Sequence, residues 1–178
     1  MNCSSDRLVG QVKRERLIEL LKRKGVECVE HSHLELRPVK QFLEHEDVTE
    51  YLKYCLPRES YQASGVHVSD LGCIYQDIEE EVDPGGYISM YGFVVVGSSV
   101  GGNVFSLDAH KGGVYWVDHG TFCDDLITYE DRATGEWHDV PFSKENIYKS
   151  MVLLNEDLFK FFEDLVEEKL TDYLFSLN

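Results

Sequence analysis

The sequence predicts an α+β fold in which a central, mainly antiparallel sheet is flanked by N-terminal helices and a C-terminal helix. Three features lead to this prediction: strand-like segments joined by glycine-rich turns across residues 91–120, amphipathic segments before residue 57, and a wide apolar face after residue 155. With 178 residues, the chain is long enough to bury a hydrophobic core without disulfides or metals. We therefore expect a single domain that spans residues 1–178.

The centre of the sheet is predicted from three strands between residues 91 and 120. Residues 93–96 are a continuous β-branched and aromatic run, which is typical of a strand buried on both faces. Residues 103–108 alternate between polar and apolar, and residues 114–117 are again apolar and aromatic. The intervening turns are too short for a parallel crossover, which needs about a dozen residues. The three strands are therefore predicted to be antiparallel neighbours.

Two helices are predicted before the sheet. The first begins near residue 4 and ends at Gly25, after a cationic last turn. Its basic residues between 13 and 24 fit the exposed side of an amphipathic helix better than an anion-binding site. The second helix is predicted to begin at Asp47, because Glu50 follows it at the three-residue spacing of a capping box.

The middle of the chain carries its most acidic segment. We predict a strand over residues 68–75, followed by a charged loop over residues 77–86. A segment so rich in Asp and Glu is, by default, a solvated connection. Because this one directly precedes the predicted meander, we expect it at one rim of the sheet.

The last third of the chain is predicted to add strands and a final helix. Residues 126–129 and 137–140 are predicted strands, and residues 151–154 are a predicted edge strand. Asn155 is the predicted cap of the final helix, on which Glu163 lies behind the apolar face. We expect one continuous core that includes Val95, Phe105, Leu107, Tyr115, Val117, Phe161 and Phe162.

The charge of the chain restricts its partners. Acidic residues outnumber basic ones 33 to 17, which gives a formal net charge of −16 at pH 7. Nucleic acids and anionic membranes are bound through Lys and Arg, so the balance argues against both. It favours electrostatically steered association with a basic protein, although a merely solvated surface is the alternative that charge alone leaves open. The partner-binding residues that we predict are Asp77, Glu79, Glu80, Glu81, Asp83, Asp124 and Asp125.

The sequence gives little support for catalysis, a cofactor or a metal. The five cysteines include no C-x-x-C pair, His31 and His33 lack a third ligand at a recognisable spacing, and no phosphate-binding glycine motif is present. Cys123 and His119 could supply the nucleophile and base of an unrecognised hydrolase. His119 is explained more simply as a residue at a strand end whose side chain hydrogen-bonds the backbone of the following turn. We therefore expect a binding protein without cofactor or metal, not an enzyme.

The cellular location is predicted from what the sequence lacks. The N-terminus has no apolar signal-peptide core, and no apolar run approaches the length that spans a bilayer. We therefore expect a cytoplasmic protein.

Residues 93–120 resemble the SUKH superfamily, which includes regulators of yeast cell-wall synthesis and many bacterial immunity proteins that neutralise polymorphic toxins. The family signature is a strand pair with a Gly/Asp-rich turn, a strand ending in Leu-Asp, and a strand with Val-Tyr, an aromatic residue and Asp-His. The residues at those positions are Gly101, Gly102, Leu107, Asp108, Gly113, Val114, Tyr115, Asp118 and His119.

The resemblance implies a fold and two related functions. The fold is an α+β domain that ends in a helix packed on the sheet. The first function is that of an immunity protein, which blocks a cognate toxin by direct contact; the acidity of the chain favours a basic nuclease as that toxin. The second is that of a regulatory scaffold like the fungal cell-wall regulators.

Overall fold

The predicted meander lies at the centre of the main sheet. The computed structural model describes residues 3–123, 126–131 and 133–177. Within them, the main sheet has six strands in the spatial order β1-β2-β3-β4-β5-β9, and every neighbouring pair is antiparallel. These strands are β1 (Tyr61–Ala63), β2 (Val66–Val68), β3 (Phe93–Ser99), β4 (Val104–Asp108), β5 (Val114–Val117) and β9 (Val152–Asn155). The predicted antiparallel meander and the predicted edge strand are therefore confirmed.

A second, smaller sheet follows the meander. Its strands are β6 (Phe122–Cys123), β7 (Leu126–Asp131) and β8 (Glu136–Pro141). They pair in sequence order, and both pairings are antiparallel. The two strands predicted over residues 126–129 and 137–140 lie within β7 and β8.

Helices cover the face of the main sheet that lies opposite the smaller sheet. They are α1 (Cys3–Arg23), α2 (Glu46–Tyr54) and α6 (Leu158–Val166). Helix α1 ends as predicted: Gly25 has a φ of 82°, and the Val26 N–H donates to the Leu21 carbonyl. The basic residues of α1 contact acidic residues of its neighbours, in the pairs Lys13–Asp157, Arg14–Glu50 and Arg16–Glu163. These pairs fit their interpretation as part of a helix surface.

The main sheet separates two hydrophobic layers, because side chains alternate along its strands. Val94 and Val96 face the helices, whereas Phe93 and Val95 face the smaller sheet. The prediction of one continuous core is therefore wrong. The helical layer contains Phe105, Leu107, Phe161 and Phe162, and the other layer contains Val95, Tyr115 and Val117.

The segment predicted as a strand over residues 68–75 is mostly a helix, so that prediction is wrong. Strand β2 ends at Val68, and α3 (Leu71–Glu79) follows it. The Asp70 carboxylate caps the helix by accepting the Cys73 N–H at 3.0 Å. Leu71 and Ile74 are buried at the three-residue spacing of a helix face. The sequence prediction had fitted the segment to the two-residue alternation of a strand.

The charged segment predicted as a loop over residues 77–86 begins inside this helix, so that prediction is also partly wrong. Helix α4 (Gly85–Ile88) and a 3₁₀ turn (Ser89–Tyr91) then lead into β3. The remaining α-helices of the described residues are α5 (Lys144–Ser150) and α7 (Thr171–Phe175). None of these helices combines the length and apolarity needed to cross a membrane.

Two details of the final long helix differ from prediction. Asn155 ends β9, and the cap of α6 is Asp157, which accepts the Lys160 N–H at 3.2 Å. Glu163 is buried instead of lying behind the helix, because α1 packs there and Arg16 Nε lies 3.1 Å from its carboxylate.

Candidate partner-binding site

Five of the predicted partner-binding residues lie together at the C-terminal end of α3. We call this segment the α3 acidic end: Asp77, Glu79, Glu80, Glu81 and Asp83. The first two belong to the last turn of α3, Glu80 is its C-cap, and Asp83 precedes Pro84. Asp77 is half-buried, whereas the other four side chains are exposed.

The negative charges of the α3 acidic end are unfavourable for the helix that carries them. A helix C-terminus has a partial negative charge, so carboxylates there destabilise the folded chain while cations stabilise it. The last turn of α3 contains no basic residue. Burial raises the pKa of Asp77 above its ordinary value, and the nearby charge of Glu80 raises it further. The placement of these charges is therefore not explained by helix stability.

The α3 acidic end also lacks compensating cations in the part of the chain that the structure describes. Within residues 3–123, 126–131 and 133–177, none of its carboxylates forms an ion pair with Lys or Arg. Cations elsewhere pair with other acids, as in Lys149–Glu145, Lys160–Asp164 and Arg58–Glu27. Among the described residues, therefore, no Lys or Arg compensates the negative charge that the exposed carboxylates of this segment present to the solvent.

The chain after α3 folds tightly against the helix end. The Val82 N–H donates to the Asp77 carbonyl at 3.0 Å, and Glu81, with a φ of 50°, occupies the left-handed position of this helix end. A Cβ atom on Gly86 would stand 2.5 Å from the Glu81 carbonyl oxygen, so only glycine fits there. These contacts hold the backbone of residues 81–86 in one compact turn.

An open cleft of about 450 Å³ borders the α3 acidic end. We call it the aromatic cleft, and its lining residues are Glu81, Asp83, Gly86, Tyr87, Met90, Tyr91 and Phe142. The Tyr87 ring stacks on Phe142 with a centroid distance of 5.4 Å, and on Phe122 at 5.9 Å. Met90 is 77% exposed. Apolar and aromatic groups surrounded by charged ones are typical of protein-binding surfaces.

The second predicted acidic pair, Asp124 and Asp125, lies outside the described residues. The strand before this pair ends at Cys123, and the strand after it begins at Leu126. That this pair joins the partner-binding surface stays a prediction.

The two residues of the hydrolase alternative have separate surroundings. His119 Nδ1 lies 2.9 Å from Asn103 Oδ1 and 3.7 Å from Asp118 Oδ1. Asp118 in turn accepts the Gly120 N–H at 2.8 Å. Within the described part of the chain, no hydrogen bond joins the imidazole to the exposed Cys123 thiol. Asp118 thus has the turn role that the sequence suggested, whereas the His119 imidazole contacts the Asn103 side chain instead of turn backbone.

The two histidines considered as metal ligands also differ in their surroundings. His31 is buried, whereas His33 is exposed. Burial lowers the pKa of His31, which keeps its ring neutral near pH 7. In the described ranges, no three His, Cys, Asp or Glu side chains are grouped so that they could hold a metal ion.

The aromatic cleft was not predicted from the sequence. The available signal was the pair of tyrosines, Tyr87 and Tyr91, that follows the acidic run within a few residues. Phe142 could not be assigned to the same surface, because only the packing of the smaller sheet brings it to Tyr87.

Comparison of the chain with protein-family models, with curated proteins and with solved structures gives no match.

Proposed function

We propose that this protein binds a basic protein through the α3 acidic end, and that the bound protein is a toxin which it neutralises in the cytoplasm. The observation that carries the proposal is the set of five carboxylates within residues 77–83 that no described Lys or Arg pairs with. A partner that brings cations to this surface supplies the missing compensation.

Electrostatics gives this surface a defined role in association. A net charge of −16 attracts a basic partner over long range, and a localised cluster orients it during the encounter. Exposed charges at the rim of an interface act mainly on the association rate, and salt screens them. The proposed interaction should therefore be fast at low ionic strength and slow down as salt is added.

Neutralisation by contact needs no catalytic group. A basic nuclease holds phosphates with Lys and Arg, and an acidic surface can occupy such a cleft by the same attraction. The resemblance of residues 93–120 to the SUKH superfamily supports this role, because many members are immunity proteins. The proposed mechanism is thus steric and electrostatic blocking of the partner's active site.

The proposal is tested by neutralising three exposed residues of the α3 acidic end. The partner is recovered by pull-down and identified, and its association rate is then measured against ionic strength. The test variant carries Glu79→Gln, Glu80→Gln and Glu81→Gln. The control variant carries Glu15→Gln, Glu19→Gln and Glu30→Gln, three exposed acids on or after α1. Both variants change the net charge by the same amount.

We expect the test variant to associate more slowly and with a flatter salt dependence than the control variant. Equal salt slopes for the two variants would remove the α3 acidic end from the interface. A neutral or acidic partner would contradict the proposal as a whole. Neutralisation is tested by co-expression, in which the protein should restore growth to cells that produce the partner and the test variant should protect them less.

A further inference from the structure

We propose that the aromatic cleft receives an arginine side chain of the basic partner. This inference rests on the proposed function, since it names the group that the partner inserts beside the α3 acidic end. The cleft and the acidic end share Glu81 and Asp83, so a cation drawn to the acidic end is drawn to the mouth of the cleft.

The wall of the cleft suits a flat, weakly hydrated cation. Tyr87 and Phe142 stack with their ring planes 19° apart, and Tyr91 and Met90 complete the lining. Aromatic faces attract cations, and the guanidinium group of arginine also stacks on them through its planar shape. The compact ammonium of lysine holds its water more strongly and has no plane to stack. The aromatic lining therefore favours arginine over lysine.

The rim of the cleft supplies acceptors for the guanidinium N–H groups. Glu81 and Asp83 are exposed, and neither forms an ion pair within the described ranges. Carboxylates bind guanidinium groups through paired, charge-assisted hydrogen bonds. Charge complementarity thus selects a cationic occupant, and the compact turn of residues 81–86 holds the two acids at the mouth.

The surroundings of the cleft indicate a protein as the source of this arginine. Met90 is 77% exposed and Val82 is 41% exposed. Glu81 and Asp83 flank Val82 in the chain and line the cleft together with Met90. An apolar centre within a charged rim is the arrangement by which proteins bind one another, and arginine is enriched among the residues that dominate binding energy there.

The test uses a defined probe and two matched variants. The probe is a capped five-residue peptide with one central arginine between glycine and serine residues, titrated into ¹⁵N-labelled protein. Its controls are the same peptide with lysine or with citrulline, which keeps the shape of arginine without its charge. In the variants, Met90→Lys places a cation at the cleft and Val100→Lys places one on the β3–β4 turn. Both replace an exposed apolar residue, with exposed fractions of 77% and 99%.

We expect the arginine peptide to give saturable shifts of the amide signals of Gly86, Tyr87, Met90, Tyr91 and Phe142. Binding should weaken about tenfold or more in Met90→Lys, because like charges in contact repel strongly, and change little in Val100→Lys. The lysine peptide should bind more weakly than the arginine peptide, and the citrulline peptide should give no saturable shifts.

Three results would overturn the inference: shifts spread over the whole surface, equal weakening in the two variants, or equal binding of the citrulline peptide. If the peptide fails in one of these ways while neutralising Glu79, Glu80 and Glu81 still slows association of the partner, the cleft assignment falls and the proposed function stands. If the peptide binds as expected but the recovered partner is acidic, the proposed function falls instead.

Discussion

Replacing Glu81 with glycine should make the protein more stable and a poorer binder. Glu81 occupies the left-handed position that follows a helix, where glycine is the usual residue. Glu168 occupies the same position after α6: its φ is 60°, and the next residue, Lys169, donates its N–H to the Asp164 carbonyl at 2.9 Å. Both glutamates are exposed. Glu168→Gly is therefore a matched control with the same chemical change at another helix.

The expected stabilisation follows from three contributions. Glycine adopts the left-handed conformation without the strain of an L-residue, which should raise the free energy of unfolding by about 1–2 kcal/mol. Removing a carboxylate from a helix C-terminus gains about 0.3–1 kcal/mol. The greater freedom of glycine in the unfolded chain opposes these gains by about 0.4–1 kcal/mol. The net increase in the free energy of unfolding should be about 1 kcal/mol for Glu81→Gly, and Glu168→Gly should gain through the same strain relief.

Urea denaturation measures the stability of both variants, and the association rate with the partner measures their binding. We expect both variants to gain stability, whereas only Glu81→Gly should associate more slowly. A loss of stability in Glu81→Gly would refute the assigned helix end. Stabilisation of both variants with unchanged binding would show that Glu81 lies outside the partner surface.

The remaining predictions concern the core and the half-buried carboxyl of α3. Phe162 is 1% exposed and stacks on Tyr51 at 4.2 Å, so Phe162→Ala should lower the free energy of unfolding by about 3–5 kcal/mol. The control is Phe175→Ala, which should change the free energy of unfolding by less than about 1 kcal/mol because Phe175 is 64% exposed. Similar losses for the two variants in urea denaturation would contradict the packing of α6. Burial raises the pKa of Asp77 in the folded state, so the stability linked to its protonation is complete below its unfolded pKa and is lost as pH rises through the folded pKa. Asp77→Asn should therefore be more stable than the wild type at pH 7 and lose that advantage near about pH 3, as measured by urea denaturation at both pH values; an advantage that grows towards acid would show that the sign is wrong.

The parts of the fold that could be predicted from the sequence are those that local patterns determine. The β3–β4–β5 meander is specified by β-branched runs and short glycine turns, and the end of α1 by its cations and Gly25. Helix α3 was missed because Leu71, Cys73 and Tyr75 alternate like a strand. Its cap depends on a distant residue, since the Ser60 hydroxyl donates to the Asp70 carboxylate at 2.8 Å.

The candidate site was likewise predictable only where a local pattern determines it. The acidic residues of α3 were identified because charge is visible in the sequence, but their place at a helix end was not. The division of the core into two layers follows from the second sheet packing on the main one, which no single strand pattern reveals. The aromatic cleft likewise depends on Phe142, whose contact with Tyr87 joins segments far apart in the chain.

Amide hydrogen exchange, compared between the free protein and its complex with the recovered partner, tests most directly whether the α3 acidic end is the binding surface. We expect slower exchange on binding in residues 77–91 and near Phe142, with α1 unchanged. Protection confined to α1 and α6, with residues 77–91 exchanging as in the free protein, would contradict this prediction.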